Sequence, residues 1–192
     1  MTAGTAPGAS DAPEAPATPE YVPFGTRIGD VAAERGDQTA IVFVREDGTE
    51  RLVPWSELDA RSTQIARVLA ERGLGHGDRL GIKLRNCPEH LFAAFAGWKL
   101  GAVVAPVRWD LPDWELERIR SVLDPKLVAE PDDAELLDGS LSASTEPLPE
   151  VVPPHSWGIL SSGSTGTPKV ILRKIMGGNM MKLLGIEQPV SA

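Results

Sequence analysis

A three-layer α/β fold with a mainly parallel sheet is what this sequence predicts, and three observations carry the expectation. Two strongly apolar segments, residues 79–84 and 102–107, flank a helical pattern that opens at Asn86 and Pro88 and stops at Gly101. Apolar strands alternating with a helix build βαβ units, whose sheets are covered on both faces. A further apolar pair, residues 157–160 and 170–172, brackets a run of glycine and hydroxyl residues, which reads as strand, loop, strand.

Composition sets the outer limits. The chain has 192 residues, 42% of them hydrophobic and 24% charged, with a mean hydropathy of -0.12, enough apolar mass for a core. A formal net charge of -8 argues against nucleic acid as a partner, because neutralising many phosphates needs a basic face. Cys87 is the single cysteine, so no intrachain disulfide forms and a reducing compartment is expected. The start of the chain lacks a basic segment followed by an apolar core, and no apolar run approaches membrane-span length. The expectation is a cytoplasmic chain without a membrane span.

Taken in order, residues 1–20 are Ala, Pro, Gly, Thr and Ser with scattered acids, a composition that does not offset ordering entropy and predicts a disordered leader. Residues 28–35 carry Ile28, Val31 and Ala32 on one helical side, closed by Gly36. Residues 39–44 and 51–55 flank Asp47-Gly48, a hairpin signal. Ser56 and Asp59 have capping-box spacing, and Leu58, Ser62, Ile65 and Leu69 then share one helical face that ends at Gly73. In the helix after Pro88, Leu91, Phe92, Phe95 and Trp98 are expected inward. Residues 112–123 present Leu116, Ile119 and Leu123, residues 126–129 form a short strand, and Trp98, Trp109 and Trp114 are expected to pack. Residues 132–154 are acidic and rich in Pro and Ser, so they read as a surface excursion. Cys87, His76 and His155 have no partner pattern that marks a nucleophile or ligand, and no metal cluster is visible.

The chemistry lies in Ser161-Ser162-Gly163-Ser164-Thr165-Gly166-Thr167-Pro168-Lys169. Gly163 and Gly166 lack a Cβ, so the backbone there can bring N–H groups close to an anion. The hydroxyls of Ser161, Ser162, Ser164, Thr165 and Thr167 are rotatable donors, and Lys169 adds a full positive charge. Pro168 disfavours a helical Thr167, so the chain should leave the loop extended. A Walker loop is excluded: Gly158 and Gly163 have its spacing, but Ser164 stands where its lysine must be. A surface hairpin of ordinary turn residues is the alternative.

This string resembles the phosphate loop of the adenylate-forming (AMP-binding, acyl-CoA synthetase) superfamily and meets each fixed position of its pattern. Pro54-Trp55-Ser56-Glu57-Leu58, Gly75-His76-Gly77-Asp78-Arg79, Asn86-Cys87-Pro88-Glu89 and the stretch from Gly97 through Pro106 look like that family's N-terminal domain, in the same order. The resemblance covers residues 21–172. The segment from Pro106 to Pro112 is similar to the bile-acid and steroid CoA ligase branch. After the loop the chain departs from the family, with Val170 and Arg173-Lys174 where a glycine and a histidine are common.

The resemblance implies an incomplete acyl-CoA synthetase-like N-terminal α/β domain over residues 21–174, with residues 175–192 an atypical tail. It implies a ligase of fatty-acid-type metabolism that uses ATP, Mg2+ and coenzyme A on a small carboxylic acid. The eight non-proline residues of the loop would hold phosphates, and Lys169 would offset the leaving charge. The family's adenine, ribose and catalytic-lysine segments find no counterpart in the sequence, so the competing expectation is a truncated, non-catalytic remnant or weak nucleotide-binding module.

Overall fold

The computed structural model describes residues 22–161 and 169–173; residues 1–21, 162–168 and 174–192 lie outside them, and with them the expected leader, most of the loop and the expected tail.

The first helix, α1 (Phe24–Arg35), starts a turn earlier than its apolar pattern suggests. Thr26 and Arg27 both donate their N–H to the Pro23 carbonyl, at 3.1 and 2.8 Å, which begins the coil directly after the proline. The hairpin forms as expected: β1 (Thr39–Val44) and β2 (Glu50–Pro54) pair antiparallel with Val42 opposite Leu52. Asp47 Oδ1 accepts the Thr49 N–H at 2.9 Å, which locks the turn.

Helix α2 (Trp55–Glu71) takes Trp55 out of the expected strand, and the expected capping box does not form. Its first donors already have main-chain acceptors, Trp55 N–H on the Gln38 carbonyl at 3.1 Å and Ser56 N–H on that of Gly36 at 3.0 Å. That frees both side chains. Ser56 Oγ donates to the Gly36 carbonyl at 2.9 Å, and Asp59 Oδ1 accepts from Lys99 Nζ at 2.6 Å. The inward stripe of Leu58, Ser62, Ile65 and Leu69 is buried as its spacing predicts.

The parallel unit follows. Strand β3 (Arg79–Ile82), helix α3 (Pro88–Lys99) and strand β4 (Val103–Pro106) form a βαβ unit in which Leu80 sits opposite Val104. Helix α4 (Asp113–Leu123) then leads to β5 (Leu127–Ala129), parallel to β3 on its other side. With β6 (Trp157–Ser161) and β7 (Lys169–Arg173) the order is β5-β3-β4-β6-β7, all parallel except the last strand. Right-handed crossovers explain the layering: the step from β3 to β4 and the reverse step to β5 must cross opposite faces. Accordingly, Phe92 and Ala96 of α3 pack with Val104 in one cluster, while Leu116, Ile119 and Leu123 of α4 pack with Ala105 in another. Adjacent β4 residues point to opposite faces, so helices cover both sides of the sheet. Gly101, at φ +71°, makes the turn into β4; a Cβ there would lie 2.5 Å from Val151 Cγ1.

Several side chains depart from expectation. Leu91 is exposed, because α3 turns Phe92 inward and its immediate neighbour falls off that face. Trp98 is buried, but Trp109 and Trp114 are 42% and 63% exposed. Trp114 lies two residues from Leu116, across the helix from the buried stripe, and Trp109 sits in a loop. The Asn86 start is really at Cys87, whose side chain makes no cap. Burial pushes the Cys87 thiol up, so a helix-start activated thiolate is not formed.

The surface excursion is ordered against the fold. Helix α5 (Ala134–Leu137) and a 3-10 turn, Gly139–Ser142, bury Leu136 and Ser140 completely. Three α2 side chains hold its backbone: Arg61 Nη2 donates to Leu137 O at 2.6 Å, Gln64 Nε2 to Leu141 O at 2.9 Å, and Arg67 Nη2 to Glu146 O at 2.7 Å. Arg72 Nη2 donates to Asp133 Oδ1 at 2.9 Å.

That last pair makes the excursion acid-sensitive. The Arg72 hydrogen bond holds the Asp133 carboxyl below its usual range. For Glu89, burial acts upward, but its own backbone N–H and the Arg51 guanidinium outweigh it and leave the carboxyl low. A depressed carboxyl contributes stability above its unfolded value, about 4, that is lost as pH falls through the lower folded value. The unfolding midpoint should therefore hold from neutral pH to about pH 4 and fall below it. Asp133→Asn should flatten that acid limb in a thermal melt series; an unchanged limb would contradict the assignment.

Candidate phosphate-loop site

Strand β6 reaches the site through a small number of firm contacts. Ser156 O accepts both the Trp98 indole N–H at 2.7 Å and the Val104 N–H at 3.3 Å. Trp98 and Trp157 meet edge to face at 4.8 Å between ring centroids, a geometry in which one ring's positive edge faces the other's negative π cloud. From there β6 runs parallel to β4, so its end at Ser161 lies at the carboxyl edge of the sheet.

The hairpin closes at that edge. Strand β7 pairs with β6 from Trp157 opposite Arg173 to Ser161 opposite Lys169. Ser161 and Lys169 are thus cross-strand neighbours, and the expected extended exit from the loop is met by β7. Ser162, Gly163, Ser164, Thr165, Gly166 and Thr167 lie outside the described residues. The framework holds the two ends of their loop together at the side of an open α/β sheet where ligands bind.

Two further groups arrive at the same edge, to which the sequence reading gave no site role. The connections after β3 and β4 leave to opposite faces, which makes the gap between them the topological switch point. Arg85, just after β3, places its guanidinium carbon 4.0 Å from the ring centroid of Trp109, just after β4, a cation–π stack. Arg108 Nε donates to Asp110 Oδ1 at 2.6 Å. Their position directly beyond paired apolar strands was the available signal.

His90 Nδ1 meets the Leu84 carbonyl at 3.4 Å, beside Arg85, but His76 and His155 do not join this group. His76 bonds the Val152 carbonyl at 2.9 Å, near the amino edge of the sheet, and His155 Nδ1 is buried without a hydrogen-bond partner among the described residues. Among the described residues, no three His, Cys, Asp or Glu side chains converge on a metal site. No described helix is long and apolar enough to cross a membrane.

A family model described as AMP-binding enzyme matches residues 29–185. The chain belongs to that family. Over 78 residues it is 33% identical to a crotonobetaine/carnitine–CoA ligase of Salmonella paratyphi B, a match covering 41% of this chain and 15% of the relative. The fold is similar to that of the Klebsiella oxytoca NpsA N-terminal subdomain in complex with 3-hydroxybenzoyl-AMSN, with a TM-score of 0.68 and 22% identity over 79% of this chain and 41% of that one. It is also similar to the fatty acyl-adenylate ligase from L. pneumophila in complex with acyl adenylate and pyrophosphate, with a TM-score of 0.66 and 18% identity over 78% and 30% of the two chains. At these identities the structural likeness speaks for the fold. The matches cover less than half the length of each of these relatives.

Proposed function

We propose that the chain is the N-terminal portion of an ATP-dependent carboxylic acid:CoA ligase, and that the segment from Ser161 to Lys169 holds the β and γ phosphates of ATP. The observation that carries this reading is the hairpin register, which sets Ser161 opposite Lys169 at the carboxyl edge of a parallel sheet in a chain of the AMP-binding enzyme family. Backbone N–H groups at Gly163 and Gly166, with the hydroxyls of Ser161, Ser162, Ser164, Thr165 and Thr167, are donors suited to phosphate oxygens. Lys169 is the group assigned to the charge that grows on the leaving pyrophosphate as a carboxylate attacks the α phosphorus. Capture of the acyl group by coenzyme A is the second half of the proposed reaction. Magnesium would reach this site on the ATP phosphates, with water and one or two carboxylates completing its shell, and no step is routed through it.

The second reading is that these 192 residues bind polyphosphate and do not turn over alone. The proposed setting is the cytoplasm.

The test is calorimetric titration with pyrophosphate beside an ATP–pyrophosphate exchange assay. Lys169→Ala should weaken pyrophosphate binding by about 1–3 kcal/mol, the scale of a charge-assisted hydrogen bond. Equal affinity in both proteins would remove Lys169 from its role. Robust exchange by the unmodified chain would show that these residues suffice for adenylation.

A further inference from the structure

A second concave site lies at the opposite edge of the sheet. A cavity of about 610 Å3 is enclosed by α1, the first turns of α2, the end of α3 and the segment 145–151, a volume in the range of small-molecule sites. Its α3 contribution is Lys99, which precedes β4, whereas the phosphate loop follows the carboxyl end of β6. The cavity stands open because α1 shows it small residues: Gly25, Gly29, Ala32 and Ala33 leave helix backbone, not side chain, as the wall.

The polar lining favours one sign of charge. Lys99 Nζ donates to Asp59 Oδ1 at 2.6 Å, to Thr63 Oγ1 at 2.6 Å and to the Asp59 carbonyl at 3.2 Å. An ammonium has three protons, so Lys99 keeps none for an anion. Its side chain is 7% exposed, while that of Asp59 is 27% exposed. The start of α2, the usual alternative for anions, is also spent here: the Trp55 and Ser56 N–H groups already donate to the carbonyls of Gln38 and Gly36.

The unspent charged side chains are acceptors. Asp59 Oδ2 has no hydrogen-bond partner among the described residues. Asp30 has only a 3.7 Å pair with Arg27, both half exposed, and Glu150 has no ion pair among the described residues. Pro147 and Pro149 remove two N–H donors from the facing segment and, with Leu148 and Val151, make it apolar. The Lys99–Asp59 pair is neutral as a whole, so the two carboxylates of Asp30 and Glu150 give the cavity its net negative sign.

We propose that this cavity binds a protonated organic amine, its ammonium on Asp59 between Asp30 and Glu150 and its apolar body against Leu148, Pro149 and the alanines of α1. The site is separate from the phosphate loop and does not depend on the function proposed for it.

The probe is hexylammonium, compared with hexanol and hexanoate by calorimetric titration of the full chain at low salt. Hexylammonium should bind saturably and at least about tenfold more tightly than either analogue, the scale of a partly desolvated charged contact. Asp30→Asn combined with Glu150→Gln, both on exposed carboxylates, should weaken it about fivefold. Gly29→Leu places a side chain where the nearest atom to a Cβ is 3.9 Å away, Asp59 Oδ1. It also replaces a helix-interior glycine, so the melting temperature should hold or rise while amine binding is lost. Equal binding of hexanol, unchanged affinity in Gly29→Leu, or no saturable binding of hexylammonium would each overturn the proposal.

Discussion

Replacing Phe92 by alanine should lower the unfolding free energy by about 3–5 kcal/mol, the range for a fully buried phenylalanine. The ring is 0% exposed and belongs to the cluster that joins α2 and α3 to the sheet through Leu80, Ile82 and Val104. Two losses combine: the transfer free energy of the ring and the cavity it leaves. The cavity term should be near its upper end, because the framework cannot close in. On the same helix, a Cβ at Gly97 would already lie 2.8 Å from Val104 Cγ2, so α3 is pressed against β4. The Arg51 guanidinium stands 5.9 Å from the ring centroid and would lose that face as well. Phe92→Leu, which nearly conserves volume, should cost less than about 1.5 kcal/mol. Urea unfolding reads both, as midpoint shifts at constant slope. A loss below about 1 kcal/mol for alanine would mean that the site collapses freely, contrary to the close contact of α3 and β4.

What was legible in the sequence divides by the range of the interaction that encodes it. The parallel βαβ unit, the hairpin and the stripe of Leu116, Ile119 and Leu123 are written in local periodicity, and they form as read. The excursion after β5 was not legible, because its order comes from Arg61, Gln64 and Arg67 donating to carbonyls more than seventy residues away. Carbonyls leave no trace in sequence, and the donors look like ordinary helix-surface residues. Ser56 and Asp59 misled for a related reason. Their spacing matches a cap, but long-range carbonyls from Gly36 and Gln38 took the N–H groups first. In the candidate site, the loop chemistry was readable from residue types. The stack of Arg85 on Trp109 was not, since it depends on which strands become neighbours.

Removing one member of the Asp59–Lys99 pair should be far more costly than removing the other. Asp59→Ala leaves the Lys99 ammonium 7% exposed with Thr63 and a carbonyl as its remaining partners. Stranding a fully buried charge costs about 3–5 kcal/mol; because Asp59 is 27% exposed and water can follow into its place, about 2–3 kcal/mol is expected. Lys99→Met keeps an apolar stem of similar length and strands only a carboxylate that already meets water, so it should cost less than about 1 kcal/mol. The pH dependence separates the two. Burial holds the Lys99 ammonium below its ordinary range, and the Asp59 carboxylate acts in the other direction. Deleting Asp59 should depress it further. The unfolded chain then binds more protons than the folded one over the interval between the two values, so stability rises with pH there. The deficit of Asp59→Ala relative to the unmodified protein should accordingly shrink between pH 7 and pH 10, about the unfolded lysine value, whereas that of Lys99→Met should grow slightly, because the unmodified protein keeps the gain from its lowered Lys99 and the methionine variant has no such group. Urea midpoints at the two pH values decide it. Equal losses in both variants, or a deficit in Asp59→Ala that grows with pH, would show that the pair acts as an exposed surface contact.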